Sequence, residues 1–159
     1  MRGKVSICVV ALAALVAATP AYAETPTREE YAAAVEPICE RNAVANEQIL
    51  KGARERVKSD KLKAASGQFL RASDAFGATI KELAAVPRPP ADANRLQKWL
   101  GFLKLVKQHL GNIGKALGEG NKIKATHIQI RAERSGNAAN NVVFSFPFKS
   151  CRLTPSRFR

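Results

Sequence analysis

The sequence predicts an all-α fold: an up-down-up-down four-helix bundle with an extended C-terminal strap tied by a disulfide. Four stretches repeat apolar residues every three or four positions, the period of one helix face. The connections between them are short and rich in Pro, Gly, Asp and Asn, which favours antiparallel neighbours. Beyond residue 140 the pattern changes, and Phe144, Phe146 and Phe148 alternate ahead of Cys151.

Residues 1–23 read as a signal peptide. Arg2 and Lys4 give the positive start, Val5 to Ala18 is an almost unbroken apolar run, and Ala21-Tyr22-Ala23 offers a small-x-small cleavage site. The run falls short of the ~20 residues that a helix needs to span a bilayer. Cys8 is followed by further apolar residues, so it is not placed as the lipid-anchored first residue of a processed chain. Residues 24–159 then form one domain, long enough for a single core.

Thr27 opens the first helix, with Glu30 at capping-box spacing. Tyr31, Val35, Ile38, Ala45, Ile49 and Ala53 mark its apolar face to about Val57. Pro37 removes a backbone donor inside this pattern and predicts a kink there. Asn42 falls on the same face and reads as a register-fixing polar residue. After the polar break Lys58-Ser59-Asp60-Lys61, the second helix repeats Leu62, Phe69, Phe76 and Leu83, with Ala65, Ala72 and Ile80 beside them. Val86-Pro87-Arg88-Pro89-Pro90 ends it, since proline also restricts the residue before it.

Asp92 is placed to cap the third helix, the most regular of the four. Leu96, Trp99, Leu100, Leu103, Val106, Leu110, Ile113 and Leu117 keep one face apolar along its whole length. Gly114 and Gly118 read as a close-packing or helix-end feature. Gly118-Glu119-Gly120-Asn121 predicts a tight turn. The fourth helix follows from about Lys122 to Asn140, with Ala125, Ile128, Ala132, Ser135 and Ala139 inward. Residues 141–159 form the strap.

Without the signal peptide two cysteines remain, Cys39 and Cys151. In an exported chain such a pair is most simply a disulfide. Closing so long a loop is worth roughly 5 kcal/mol in the chain-entropy model. The topology agrees, because the fourth helix ends where the first began and about ten strap residues can reach Cys39.

Charge divides the chain in two. Removing Arg2 and Lys4 leaves 24 basic residues against 13 acidic ones. From Glu24 to Asp92 the signs balance at eleven each, whereas beyond Asp92 thirteen basic residues meet only Glu119 and Glu133. Lys98, Lys104, Lys107, Lys115, Lys122, Lys124, Arg131 and Arg134 come from the third and fourth helices. Lys149 and Arg152 follow in the strap, with Arg157 and Arg159 beyond. Such a field attracts polyanions regardless of sequence. Nucleic acid is not the expected partner, because export removes the protein from it and no aromatics interleave the basic face. Anionic envelope polymers or an anionic lipid surface fit better; the plain alternative is a soluble basic protein with no dedicated partner.

No phosphate-cradling glycine loop, G-x-S-x-G elbow, H-E-x-x-H, C-x-x-C or C-x-x-C-H is present. His109 and His127 would lie about one turn apart across a hairpin, but they complete no ligand set and read as unrelated. Glu36 and Glu40 share a face but read as solvated carboxylates beside Arg41, and Glu47–Lys51 as an ordinary ion pair.

The stretches EPICERNAVANEQIL, PPADANRLQKWLGFLK and ANNVVFSFPFKSC resemble a group of small exported helical proteins of actinobacteria without an assigned activity. The resemblance covers most of the chain after residue 23 and implies export and the cysteine pairing. It carries no activity and no functional residues.

The expectation is therefore an exported, monomeric, non-catalytic binding or structural protein of the cell envelope, needing no cofactor or metal. A small-ligand or cofactor carrier using the bundle core is the second class, and an enzyme the third.

Overall fold

The computed structural model describes residues 25–154. The signal peptide expected over 1–23 and the final Arg157 and Arg159 lie outside the described residues. Four long helices carry the fold: α1 Arg28–Leu50, α3 Leu62–Ala85, α4 Ala93–Gly118 and α5 Lys122–Val142. A short α2, Ala53–Lys58, joins the first two, and a single 3-10 turn, Pro90–Asp92, leads into α4.

Each long helix packs against the next in sequence. Their contacts run in opposite directions along each pair. Arg41 bonds Glu82 while Ile49, further along α1, bonds Gln68, earlier in α3. Ser73 lies against Gly111 and Ser66 against Gly118. Arg95 reaches Ser145 at one end of the α4–α5 pair, and Glu119 meets Lys124 at the other. The up-down-up-down bundle read from the sequence is the fold of the described residues.

The helix starts follow local chemistry. Thr27 and Glu30 form the reciprocal capping box, with the Thr27 N–H donating to Glu30 at 2.8 Å. At the α4–α5 turn Gly120 takes φ 76°, a left-handed backbone that glycine adopts without a Cβ clash. Asn121 then caps α5 by accepting from the Lys124 N–H at 2.8 Å.

Two expectations at helix ends need correction. The first helix does not run through to Val57: it stops at Leu50, and α2 restarts at Ala53 after Gly52 turns left-handed at φ 72°. The carbonyls freed by this break are satisfied from a distance. The Gln68 amide donates to Ile49 O at 2.7 Å and Lys51 O at 3.0 Å, and Arg56 donates to Lys51 O at 2.9 Å. Asp92 stands at the N-cap of α4 but makes no capping hydrogen bond. Its carboxylate turns instead to the Arg28 guanidinium, which donates to both oxygens, at 2.5 and 2.7 Å. A bidentate charged pair across the bundle end outcompetes a local cap. This bond holds the Asp92 carboxyl below its ordinary value against the opposing effect of burial, and Arg95 adds a further favourable charge.

The main core joins Tyr31, Val35 and Cys39 of α1 to Phe76, Ile80 and Leu83 of α3 and to Leu96 through Leu110 of α4. Beyond it, Ile113, Ala116 and Leu117 meet Ala65, Ala125 and Ile128 around the hairpin end. On α5 the buried positions are Ala125, Ile128, Ala132, Gly136 and Ala139, with Ser135 only half-buried. Asn42 is half-buried and bonds across to the next long helix: its Oδ1 accepts from Thr79 of α3 at 3.2 Å and from Asn46 at 2.6 Å.

The strap begins at Val143, two residues later than read, because α5 continues to Val142. Phe146 and Phe148 enter the core, where Phe148 stands between Trp99 at 5.4 Å and Tyr31 at 6.3 Å, measured between ring centroids. Burying two such rings is worth several kcal/mol. Phe144 does not join them. The backbone is still turning there, with Phe146 N–H donating to Val143 O at 3.0 Å, so the strict alternation of an extended strand has not begun.

Cys39 and Cys151 form the disulfide, spanning 112 residues. Beside it the Glu36 carboxylate accepts three backbone N–H bonds, from Lys149 and Ser150 at 2.8 Å and Cys151 at 3.2 Å. Burial alone would push this carboxyl up, but the bonds from Ser150, Lys149 and Cys151 outweigh it and leave Glu36 below its ordinary value. Glu36 is therefore a clasp for the strap and not the freely solvated carboxylate its neighbours suggested. Asn140 closes the far end, exchanging hydrogen bonds with Leu153 N–H and O.

Candidate anion-binding face

Because α4 buries its apolar stripe, its lysines are left on the remaining surface. Lys98, Lys104 and Lys115 are exposed. Lys107 is half-buried, its aliphatic stem lying over Gly77 at the α3–α4 seam. On α5 the inward face carries small residues and Ile128, so Lys122, Lys124, Arg131 and Arg134 are all exposed. The two sets share one antiparallel hairpin, and Arg131 of α5 lies near enough to His109 of α4 to act on it. Burial, helped by the Arg131 charge, depresses the His109 pKa and favours the neutral ring.

The ten basic residues expected to bind anions do not act alike. Lys122 pairs with Asp60 at 2.6 Å and Lys124 with Glu119 at 2.9 Å, both near the hairpin turn. Arg152 is spent on the strap, donating to Phe144 O at 3.0 Å while its guanidinium lies 5.7 Å from the Phe144 ring centre. Lys149 sits on the strap where its backbone meets Glu36 of α1. Among the described residues Lys98, Lys104, Lys107, Lys115, Arg131 and Arg134 make no ion pair, and all but Lys107 are exposed.

The hairpin and the start of the strap also expose apolar side chains, which charge alone does not reveal. Ile123 is 75 % exposed and Ile130 43 % on α5, Leu105 is 41 % exposed on α4, and Phe144 is 76 % exposed just after α5. Ile123 and Ile130 lie seven residues apart, outside the inward set, so helical periodicity alone could have found them.

Among the described residues no group of three or more His, Cys, Asp or Glu is arranged to hold a metal ion. His127 is exposed and His109 half-buried. No described helix is long and apolar enough to cross a membrane. The disulfide is consistent with an oxidising compartment. Compared with known proteins, the chain matches no family model, no curated protein and no solved structure.

Proposed function

We propose that this is an exported, non-catalytic protein that attaches to an anionic component of the cell envelope, polymer or lipid surface, through the outer face of α4 and α5. The observation that carries the reading is the set of exposed cations on that hairpin without acidic partners among the described residues: Lys98, Lys104, Lys115, Arg131 and Arg134. Between Ala93 and Val142 the hairpin carries nine basic residues against two acidic ones, Glu119 and Glu133. Ion pairing engages Lys122 and Lys124 near the turn and leaves the five cations named above available.

The alternative of a carrier using the bundle interior finds no supporting observation. At the level of Trp99 the interior is occupied by Tyr31, Phe146 and Phe148, with the two phenylalanine rings 5.1 Å apart. Two depressions among the described residues are open surface grooves, one along α1 at Pro37 and Val44 and one at the hairpin turn.

Attachment by exposed charge is screened by salt, since the Debye length falls from ~10 Å at 0.1 M to ~3 Å at 1 M. The processed protein is expected to sediment with anionic vesicles or with anionic wall polymer at low ionic strength and to be released as salt rises. Retention unchanged between low and high salt, or absent at low salt, would remove the reading.

A further inference from the structure

The α5 face combines cations with exposed isoleucines in a way that charge attraction alone does not require. Seven helical residues advance the azimuth by about 700°, so Ile123 and Ile130 fall within ~20° of one line along the helix. His127 and Arg134 occupy the same ridge at the intervening steps of four, and Lys124 and Arg131 flank it. Opposite this ridge, Ala125, Ile128, Ala132 and Ala139 are buried, so the helix is already anchored by its other face. The exposed isoleucines are therefore not a displaced part of the core.

Each candidate occupant makes different use of this ridge. A hydrated anionic polymer would neutralise the cations and leave Ile123 and Ile130 in water. A second copy of the chain would bring one unpaired basic face against another. An anionic bilayer surface offers phosphates to the cations and, a few ångströms deeper, an acyl boundary to the isoleucines. Long basic side chains can reach back to the headgroups while the shorter apolar ones enter.

We infer that the surface bound is that of an anionic lipid bilayer, with α5 lying flat on it and Ile123 and Ile130 entering the headgroup–acyl boundary. This rests on the attachment reading above and specifies its partner.

The test compares phosphatidylglycerol vesicles, phosphatidylcholine vesicles and soluble polyphosphate, using the processed protein and the double variant Ile123→Asn, Ile130→Asn. Both side chains already face solvent, so the variant is expected to keep its helicity and melting behaviour. Losing two partly inserted isoleucines is expected to lower affinity for phosphatidylglycerol vesicles by roughly ten- to a hundredfold. Affinity for polyphosphate should stay unchanged. In a separate variant, Ile123→Trp, the added emission should shift to the blue on phosphatidylglycerol vesicles and not on polyphosphate, against the constant background of buried Trp99. Equal vesicle binding by the double variant and the parent, with no blue shift, would overturn insertion while leaving charge attachment standing. Binding to polyphosphate without binding to vesicles would assign the face to a polymer. Binding to neither would defeat the attachment reading and this inference together.

Discussion

Tyr31 carries its hydroxyl into the core, where it finds no hydrogen-bond partner among the described residues, and the Trp99 indole N–H is in the same position. Burial pushes the Tyr31 phenol up to about 12, with the Arg88 charge opposing. A raised acid constant means the neutral form is favoured in the fold. The corresponding stability is intact below the ordinary tyrosine value of ~10 and is lost as pH rises from there through about 12. Tyr31→Phe removes an unsatisfied hydroxyl, so denaturant melts should show stability unchanged or raised by up to ~1 kcal/mol, and a smaller alkaline loss. A loss above ~2 kcal/mol would mean the hydroxyl is bonded. Glu36 has the opposite sign. Its carboxyl is depressed, so the strap clasp is fully made above the ordinary glutamate value and weakens as pH falls through the lower value of the folded protein. Amide exchange at Lys149, Ser150 and Cys151 should accelerate in that acid range, and Glu36→Gln should make exchange there faster at neutral pH and nearly pH-independent in its opening step. Protection indifferent to both changes would remove the clasp. Tyr31 was legible as a core residue, but the clasp was not, because Glu36 and Cys151 meet across 115 positions and only the folded chain shows three N–H groups converging on one carboxylate.

Helices with strong periodicity were legible, and those interrupted by partners from elsewhere were not. The apolar stripe of α4 and the capping box of α1 depend on residues a few positions apart, so the chain states them directly. The break at Gly52 depends on Gln68, sixteen positions away, and the diversion of Asp92 depends on Arg28. Likewise Ser66 and Ser73 interrupt the apolar pattern of α3 yet are buried, because they meet glycines on α4. A Cβ added at Gly114 would come to 3.0 Å from Ser66 O and 2.9 Å from Leu70 Cγ, and one added at Gly111 to 3.1 Å from Ser73 Oγ. Ser73 also donates to Lys107 O at 3.0 Å, holding the two helices at this short separation. Gly114→Ala must push α3 and α4 apart, and thermal melts should show a loss of roughly 1–3 kcal/mol. Gly101→Ala, on the open face of the same helix with nothing near the added carbon, should be neutral or mildly stabilising. Equal effects at the two positions would contradict close packing through glycine.

For the whole molecule, the disulfide and the Glu36 clasp hold the strap across one end, and most of the basic excess lies along the α4–α5 hairpin. Charge asymmetry was readable from composition, but its working members were not. The structure commits Lys122 and Lys124 to ion pairs and Arg152 to the strap, and leaves Lys98, Lys104, Lys115, Arg131 and Arg134 unpaired among the described residues. Attachment through one face predicts that position matters and net charge alone does not. The measurement that tests this most directly is vesicle co-sedimentation of two variants carrying the same net charge. In one, Lys104, Lys115, Arg131 and Arg134 become Gln; in the other, Arg54, Lys63, Arg71 and Lys81 on α2 and α3 do. The hairpin variant should release anionic vesicles at markedly lower salt than the parent, and the α2–α3 variant should follow the parent closely. Identical salt profiles for the two variants would show that net charge alone governs the interaction and that no particular face is used.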